Sequence, residues 1–312
     1  MESTFRCESH QVPPVVYKYA GPKAIEHTLK SQEIRFTSSS NQNDINENLW
    51  EFTKDQDFQV KQLKAHTLQT WLNERWINIS KAEYDDLAGA GRYAEATACL
   101  SVYLAVQRTM SRIGILSLSS DPQNILLWGH YACHSTGICV GFDSSAKFLR
   151  DSNLRGHSGL HPVVYSDNRS KFDYEEPERS ILGVVYTKSS HWKYESEVRA
   201  IRELPSGESH MQVPFEASDI KEIIVGAAIS AMHLKEILAV RQDLYPYAKL
   251  LMALPDPERF ATILSPVPPL PIIEGLHSGS LRPGWEPSTL TEDSDYLMRL
   301  TKRQLELGKE SD

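Results

Sequence analysis

The chain has 312 residues, of which 40% are hydrophobic and 24% are charged, and its formal net charge is −8. This composition is that of an ordinary globular protein with enough length for a sizeable core, and the negative charge argues against broad, non-specific nucleic-acid binding. No apolar run approaches the ~20 residues of a membrane span, no apolar signal core stands at the N-terminus, and four cysteines are too few for a disulfide framework. We therefore expect a cytoplasmic protein without a membrane partner.

The N-terminal part predicts two strands, Val15–Tyr19 and Ile34–Thr37, separated by a helix that begins near Pro22 and ends near Lys30. A polar turn, Ser38–Asp44, follows the second strand, since its side chains readily bond to their own backbone. Apolar residues then recur at helical spacing in two stretches, 58–76 and 93–110. We treat residues 54–111 as a helical insertion.

After the insertion the sequence becomes rich in strand-forming residues. A short helix with Asp121 or Ser120 as its cap would carry Trp128 and Tyr131, and a second, amphipathic helix is predicted at Ala231–Arg241. The predicted strands are Ile113–Leu118, Ile138–Phe142, Val163–Tyr165, Gly183–Tyr186, Trp192–Ile201, Ile220–Val225 and Ala248–Ala253.

The predicted fold is α+β, with a mixed twisted sheet in a single domain over residues 1–254. Prolines accumulate beyond Leu254 and predict a linker over 255–288. The sequence predicts a C-terminal helical arm over residues 289–312, with apolar positions at Leu290, Leu297, Leu300 and Leu305.

One stretch, Trp192–Ile201, concentrates the charges that a site would need. If it is a strand, Glu195, Glu197 and Arg199 project from the same face. Two carboxylates two residues apart repel each other, and a single guanidinium cannot neutralise both. The face is therefore either a solvated ion-pair ladder at a sheet edge or the floor of a binding site.

Other chemistry is less well supported by the sequence. His130, Cys133, His134 and Cys139 lie close together, but the second ligand pair of a zinc site is missing apart from Cys7 and His10. No residues around Cys133 resemble a nucleophile turn, and no Gly-rich phosphate-binding loop is present. We therefore expect no metal site.

Five short motifs in order resemble a widespread bacterial family catalogued as domain of unknown function 2971. The family pattern as a rule has prolines around the turn that contains Asn43–Asp44, followed by Phe–Glu, whereas this chain has Ile45–Asn46–Glu47. The resemblance covers roughly Val15 to Ala253. The motifs are Val16–Tyr19; Ile34–Ser39 with Asn43–Asp44; Ser117–Ser119 with Asn124–Ala132; Gly137–Asp143; and Trp192–Arg199.

The order of these motifs is also similar to the layout of ADP-ribosyltransferases, including their split sheets. That resemblance implies NAD as substrate, Glu197 as the catalytic carboxylate and Glu195 as the residue that positions the acceptor. It further implies that Tyr17 or Lys18 holds the dinucleotide, that Ser38 or Ser39 supports Glu197, and that Trp128 or Tyr131 stacks on nicotinamide. Arg199 would either pair with Glu197 or hold a phosphate.

The sequence thus favours an NAD-dependent ADP-ribosyltransferase-like enzyme, a bacterial toxin or phage-defence effector that modifies an unknown macromolecular acceptor. The first alternative is a non-catalytic sensor module that binds a small-molecule nucleotide or a protein. The second is a metal-dependent nuclease or phosphodiesterase, with Glu195 and Glu197 joined by Asp143 or Asp44.

Overall fold

A computed structural model describes residues 12–42, 44, 47–52, 109–152, 159–172 and 177–267. Its strands are β1 Val15–Ala20, β2 Glu33–Ser38, β3 Trp50–Phe52, β4 Ile113–Ser119, β5 Ile138–Asp143, β6 Leu160–Pro162, β7 Val164–Ser166, β8 Ser170–Phe172, β9 Thr187–Ser189, β10 Glu197–Glu203, β11 His210–Pro214, β12 Ile220–Gly226, β13 Lys249–Pro255 and β14 Thr262–Pro266. Its α-helices are α1 Ile125–His130, α2 Lys147–Arg150, α3 Pro177–Val185 and α4 Ala231–Leu244.

Shorter helical turns connect several of these elements. A π-helical segment occupies Ile25–Lys30, and 3₁₀ segments occupy Ser39–Asn41, Ser190–Glu195 and Ala217–Asp219. Together with the mixed sheet they confirm the predicted α+β class. Among the described helices none is both long enough and apolar enough to cross a membrane.

The described residues group into two compact units. Unit 1 is formed from Met1–Pro14, Glu33–Ser120 and Ser144–Phe215, and unit 2 from Val15–Gln32, Asp121–Asp143 and Glu216–Asp312. The predicted single domain, its linker and its helical arm stay predictions. The helical insertion falls mainly on 53–108 and the C-terminal helix on 268–312, so both lie outside the described residues.

In unit 1 the strand order is β11-β2-β4-β10-β6, with every pair antiparallel. β10 is therefore hydrogen-bonded along both edges, with Glu197 opposite Ser119 and Arg199 opposite Ser117 on β4. Short parallel pairs, β3 with β8 and β7 with β9, lie beside this sheet. A core of apolar side chains packs α3 against β4 and β10; it contains Met110, Ile113, Ile115, Phe172, Ile181, Val184, Val185, Tyr186 and Ile201.

In unit 2 the strand order is β1-β5-β12-β13-β14. β12 and β13 are parallel, so the chain must cross over between them, and α4 makes that crossover. The buried face of α4 carries Leu234, Ile237 and Val240. Strand β5 is buried on both faces, which explains why its sequence is a nearly continuous apolar run.

Most of the predicted strands are present, and two local predictions are corrected. Gly183–Tyr186 is not a strand: residues 183–185 end α3, because Ile181, Val184 and Val185 recur at helical spacing and pack into the core. The cap of α1 is Asn124, whose carbonyl oxygen accepts from the backbone N–H groups of Leu126 and Leu127. Strand β14 lies within the stretch 255–288 in which the sequence predicts a linker.

Candidate functional site

The charged stretch does not form one continuous strand. Ser190–Glu195 is a 3₁₀ segment, which Ser189 caps by accepting a hydrogen bond from the backbone N–H of His191. Ser196 then adopts a left-handed conformation with φ 46° and ψ 48°, and β10 begins at Glu197. The strand alternation that predicted a shared face therefore applies to Glu197 and Arg199 but not to Glu195.

Glu195 nevertheless joins the other two residues, because a lysine from another strand draws them together. Lys188 on β9 places its ammonium Nζ 2.6 Å from Glu195 Oε2 and 3.0 Å from Glu197 Oε2. The same ammonium lies 3.0 Å from Glu47 Oε1. We call these five residues, Glu47, Lys188, Glu195, Glu197 and Arg199, the charged cluster.

Arg199 is the centre of the charged cluster, and it is completely buried. Its Nε donates to Glu197 Oε1 at 2.7 Å, and its Nη2 donates to Glu197 Oε2 at 3.1 Å and to Glu47 Oε2 at 2.6 Å. Its Nη1 donates to the Val185 carbonyl at the end of α3, at 2.5 Å. The guanidinium is thus held by a bidentate pair with Glu197 and by two further acceptors, which is the arrangement that makes a buried arginine tolerable.

The cluster is a buried network rather than a solvated ladder. The side chains of Lys188, Glu47, Glu195 and Glu197 are 7%, 6%, 6% and 3% exposed. Charged side chains are rarely buried to this degree unless they are paired, and here three carboxylates share two cations. The cluster therefore carries one more negative than positive charge.

Electrostatics keep Glu197 ionised in this setting. Burial alone would raise its pKa, but Arg199, through charge and hydrogen bonding, and the Lys188 ammonium lower the pKa of Glu197 to about 2. Burial would likewise lower the pKa of Lys188, yet the carboxylates of Glu197 and Glu47 raise the pKa above its ordinary value. Glu197 and Lys188 are thus both charged throughout the physiological range.

Neighbouring hydroxyl groups position the cluster. The Ser117 hydroxyl on β4 adds a side-chain hydrogen bond to Glu197 that favours its ionised form. The Tyr165 hydroxyl accepts from the backbone N–H of Glu197 at 2.8 Å, and the Ser119 hydroxyl donates to the Glu195 carbonyl at 2.7 Å. Burial raises the pKa of Tyr165 to about 12, so this hydroxyl stays neutral.

A polar cavity of about 200 Å³ in unit 1 lies against the charged cluster. Lys188 and Glu47 belong to its wall, whereas Glu195, Glu197 and Arg199 do not. The side chains that line it are otherwise mainly polar: Asp44, Asn48, Leu49, Ser166, Asp167, Asn168, Arg169, Ser170, Val184, Thr187 and Ser189. A ligand in this cavity would thus meet the cluster through Lys188 and Glu47.

The predicted supporting serines lie at the end of β2. Ser38 donates to the Ser111 carbonyl at 2.8 Å, and Ser39 donates to the Met110 carbonyl at 2.6 Å. These hydrogen bonds join the turn after β2 to the residues that lead into β4. The hydroxyl group that supports Glu197 is that of Ser117. The hydrogen bonds described for Ser38 and Ser39 go to backbone carbonyls instead, so their predicted support of Glu197 stays a prediction.

The predicted stacking and dinucleotide residues lie in unit 2. Trp128 is 2% exposed, packs edge-on against Tyr19 at 5.2 Å and donates to the Pro122 carbonyl. Tyr131 is half-buried after α1. On β1, Tyr17 donates to Glu222 at 3.0 Å, and its neighbour Lys18 also has a partner of its own. Their proposed roles toward a nucleotide stay predictions.

Sequence reasoning missed three residues of the site. Lys188 lies between Thr187 and Ser189 and gave no signal in the sequence, and Glu47 was noted only as part of a departure from a family pattern. Ser117 was part of a motif but had no assigned role. The register between β4 and β10 would have identified Ser117, because it pairs directly with Arg199.

Among the described residues, no three or more His, Cys, Asp or Glu side chains are grouped so that they could hold a metal ion.

Comparison with known protein families identifies a family match that covers most of the charged cluster. Residues 127–200 match the family described as protein of unknown function (DUF2971). The match confirms the resemblance predicted from the sequence, and it includes four members of the charged cluster, all except Glu47. The comparisons with curated proteins and with solved structures each gave no significant match.

Acid should weaken the fold through Glu197. Its pKa is about 2 in the folded chain, below the ordinary value of 4.5. The stabilisation is therefore complete above pH ~4.5 and is lost as the pH falls toward 2, and it amounts to about 3 kcal/mol. Denaturant unfolding of wild type between pH 6 and pH 2 should show this loss, and Glu197→Gln should show a correspondingly shallower pH dependence.

The matched control for this titration is Glu258→Gln, because Glu258 is an exposed carboxylate outside the cluster. It should follow the wild-type pH profile. Identical pH profiles for wild type and Glu197→Gln would contradict the pairing described for Glu197.

Proposed function

We propose that unit 1 is a non-catalytic binding module whose polar cavity receives the nicotinamide end of NAD. The observation that carries this proposal is the cavity itself, which opens beside Lys188 and Glu47 at the edge of a fully paired cluster. At about 200 Å³ it is smaller than the roughly 300–1,000 Å³ of pockets that enclose whole ligands. One ring with its carboxamide is therefore the appropriate size, and the remainder of the dinucleotide would lie outside the cavity.

The charges of the lining favour the oxidised nicotinamide ring. Asp44, Glu47 and Asp167 are acidic, whereas Arg169 and Lys188 are basic, so the described lining carries an excess negative charge. The nicotinamide ring of NAD is a cation, and that of NADH is neutral. A cation in a partly buried, net-negative cavity gains Coulomb energy that a neutral ring does not.

The pairing of Glu197 argues for binding over catalysis. Both of its oxygens already accept hydrogen bonds from Arg199, and one of them also faces Lys188. With a side chain that is 3% exposed, this carboxylate does not reach the cavity. It could act on a ribose only if Lys188 and its surroundings moved aside.

ADP-ribosyl transfer is the second candidate, and one observation favours it. Lys188 in the cavity wall contacts both Glu195 and Glu197, so withdrawal of this single side chain would remove the cation that lies between these two carboxylates and a bound nucleotide. Glu197 would then stabilise an oxocarbenium-like transition state, and Glu195 would position a macromolecular acceptor. A role as a toxin or phage-defence effector belongs to this candidate.

The binding proposal predicts a preference for NAD over NADH. Calorimetric titration at low ionic strength should give a dissociation constant for NAD about tenfold below that for NADH, since about 1.4 kcal/mol of Coulomb energy depends on the ring charge. Asp167→Asn, which removes one lining charge, should reduce this preference. Asp143→Asn, a carboxylate paired with Lys221 in unit 2, is the matched control and should leave it unchanged. Equal affinities for NAD and NADH would contradict the proposal.

The two candidates differ in turnover. If the chain is a binding module, incubation with NAD and cell extract should release no more nicotinamide than the buffer control and should label no acceptor. If it is an ADP-ribosyltransferase, wild type should release nicotinamide and transfer the labelled ADP-ribose, and Glu197→Gln should lose both activities by at least about a hundredfold. Equal release by wild type and Glu197→Gln would exclude the catalytic role of Glu197.

A further inference from the structure

One loop carries most of the exposed lining of the polar cavity in unit 1. Of the described residues that line this cavity, the exposed ones are Leu49 and three consecutive residues between β7 and β8, Asp167, Asn168 and Arg169. By contrast, Val184 and Lys188 in the same wall are buried. The exposed residues are therefore the part of the lining that a ligand passes on its way to solvent. We call these four residues the mouth of the cavity.

Hydrogen bonds hold the loop that forms the mouth. The Ser166 hydroxyl accepts from the backbone N–H of Asn168 at 3.0 Å and donates to the Asn168 carbonyl at 2.8 Å. The Asp167 carboxylate accepts from the Ser190 hydroxyl. The backbone that carries Arg169 is thus tied to the end of β7, and Asp167 is already engaged beside it.

The two basic side chains of the described lining differ in what they can offer a ligand. Lys188 is 7% exposed, and its ammonium already contacts the carboxylates of Glu47, Glu195 and Glu197. Arg169 is exposed at the mouth. Arg169 also interacts within the protein, but a guanidinium has five N–H donors and can keep such an interaction while it binds a phosphate. An anionic group at the mouth would therefore meet Arg169 rather than Lys188.

The chemistry of nicotinamide nucleotides places an anionic group at this position. In these molecules a single ribose separates the nicotinamide ring from the first phosphate. If the cavity of about 200 Å³ receives the ring, as proposed above, the ribose and its 5′-phosphate lie at the mouth. The carboxylates of Asp44 and Asp167 would repel this phosphate unless a cation compensates for them.

We infer that Arg169 binds the 5′-phosphate of the nicotinamide ribose, so that the site recognises nicotinamide nucleotides in preference to the nucleoside. This inference rests on the proposed function, because it takes the position of the ring from it. Arg169 thereby determines specificity for the phosphorylated ligand, whereas the net negative lining determines the preference for the cationic ring.

Nicotinamide mononucleotide and nicotinamide riboside test the role of Arg169, because they share the cationic ring and differ only in the phosphate. In calorimetric titration at low ionic strength, wild type should bind the mononucleotide about tenfold more tightly than the riboside. Arg169→Gln should lose this preference. Arg169→Lys should retain part of it, since lysine keeps the charge but not the two parallel hydrogen bonds.

The matched control is Lys171→Gln. Lys171 is an exposed cation two residues further along the chain, on β8, and it does not line the cavity. This variant should keep the wild-type preference for the mononucleotide. A loss as large as that in Arg169→Gln would overturn the inference, because the effect would then come from overall charge.

The comparison of NAD with NADH separates failure of this inference from failure of the proposed function. Both dinucleotides carry the same phosphates, so Arg169→Gln should weaken both by the same factor and leave their ratio unchanged. Equal affinities of wild type for the mononucleotide and the riboside, with NAD still preferred over NADH, would overturn the role of Arg169 alone. Equal affinities of wild type for NAD and NADH would overturn the proposed function and this inference with it.

Discussion

A buried guanidinium with no exposed surface is the constraint around which unit 1 is built. Transferring an ion from water into a protein interior costs several kcal/mol, and that cost is offset only when every donor has a well-placed acceptor. Arg199 meets this condition with two oxygens of Glu197, one of Glu47 and the carbonyl of Val185. These acceptors come from three separate parts of the chain, so the position of Arg199 requires all of them to be in place.

The same requirement explains the surrounding architecture. Because β10 is paired on both edges, it cannot expose Glu197 and Arg199 at a sheet edge, and its charged face must be neutralised internally. Lys188 supplies the second cation from β9, and the left-handed Ser196 allows Glu195 to reach the same ammonium. Each charged member of the resulting cluster is paired within it, and of its five residues only Lys188 and Glu47 line the polar cavity. For this reason we propose recognition of a ligand rather than attack on one.

The elements that could be predicted from the sequence are those with a strong local signal. Strand β5 and the Ile223–Val225 part of β12 are apolar on both faces, and α4 follows its serine cap with helical spacing. The end of helix α3 was wrongly predicted as a strand, because Val184 and Val185 have a high intrinsic propensity for strands. In the structure these residues pack with Ile181 in the core, and this packing stabilises the helix. The Glu195–Glu197–Arg199 motif was recognised, but its partners were not. Glu47 and Arg199 are 152 residues apart in sequence, and no local pattern records such a contact.

The stability of an Arg199→Lys variant tests the central role of this guanidinium most directly. Lysine keeps the charge but cannot donate to Glu197, Glu47 and Val185 at the same time, so the free energy of unfolding at pH 7 should fall by about 3 kcal/mol or more. Glu47→Gln should also destabilise the fold, by about 1–3 kcal/mol, because both Glu47 oxygens accept from buried cations and the amide nitrogen of Gln would face either Lys188 or Arg199. A lysine variant as stable as wild type would contradict the account.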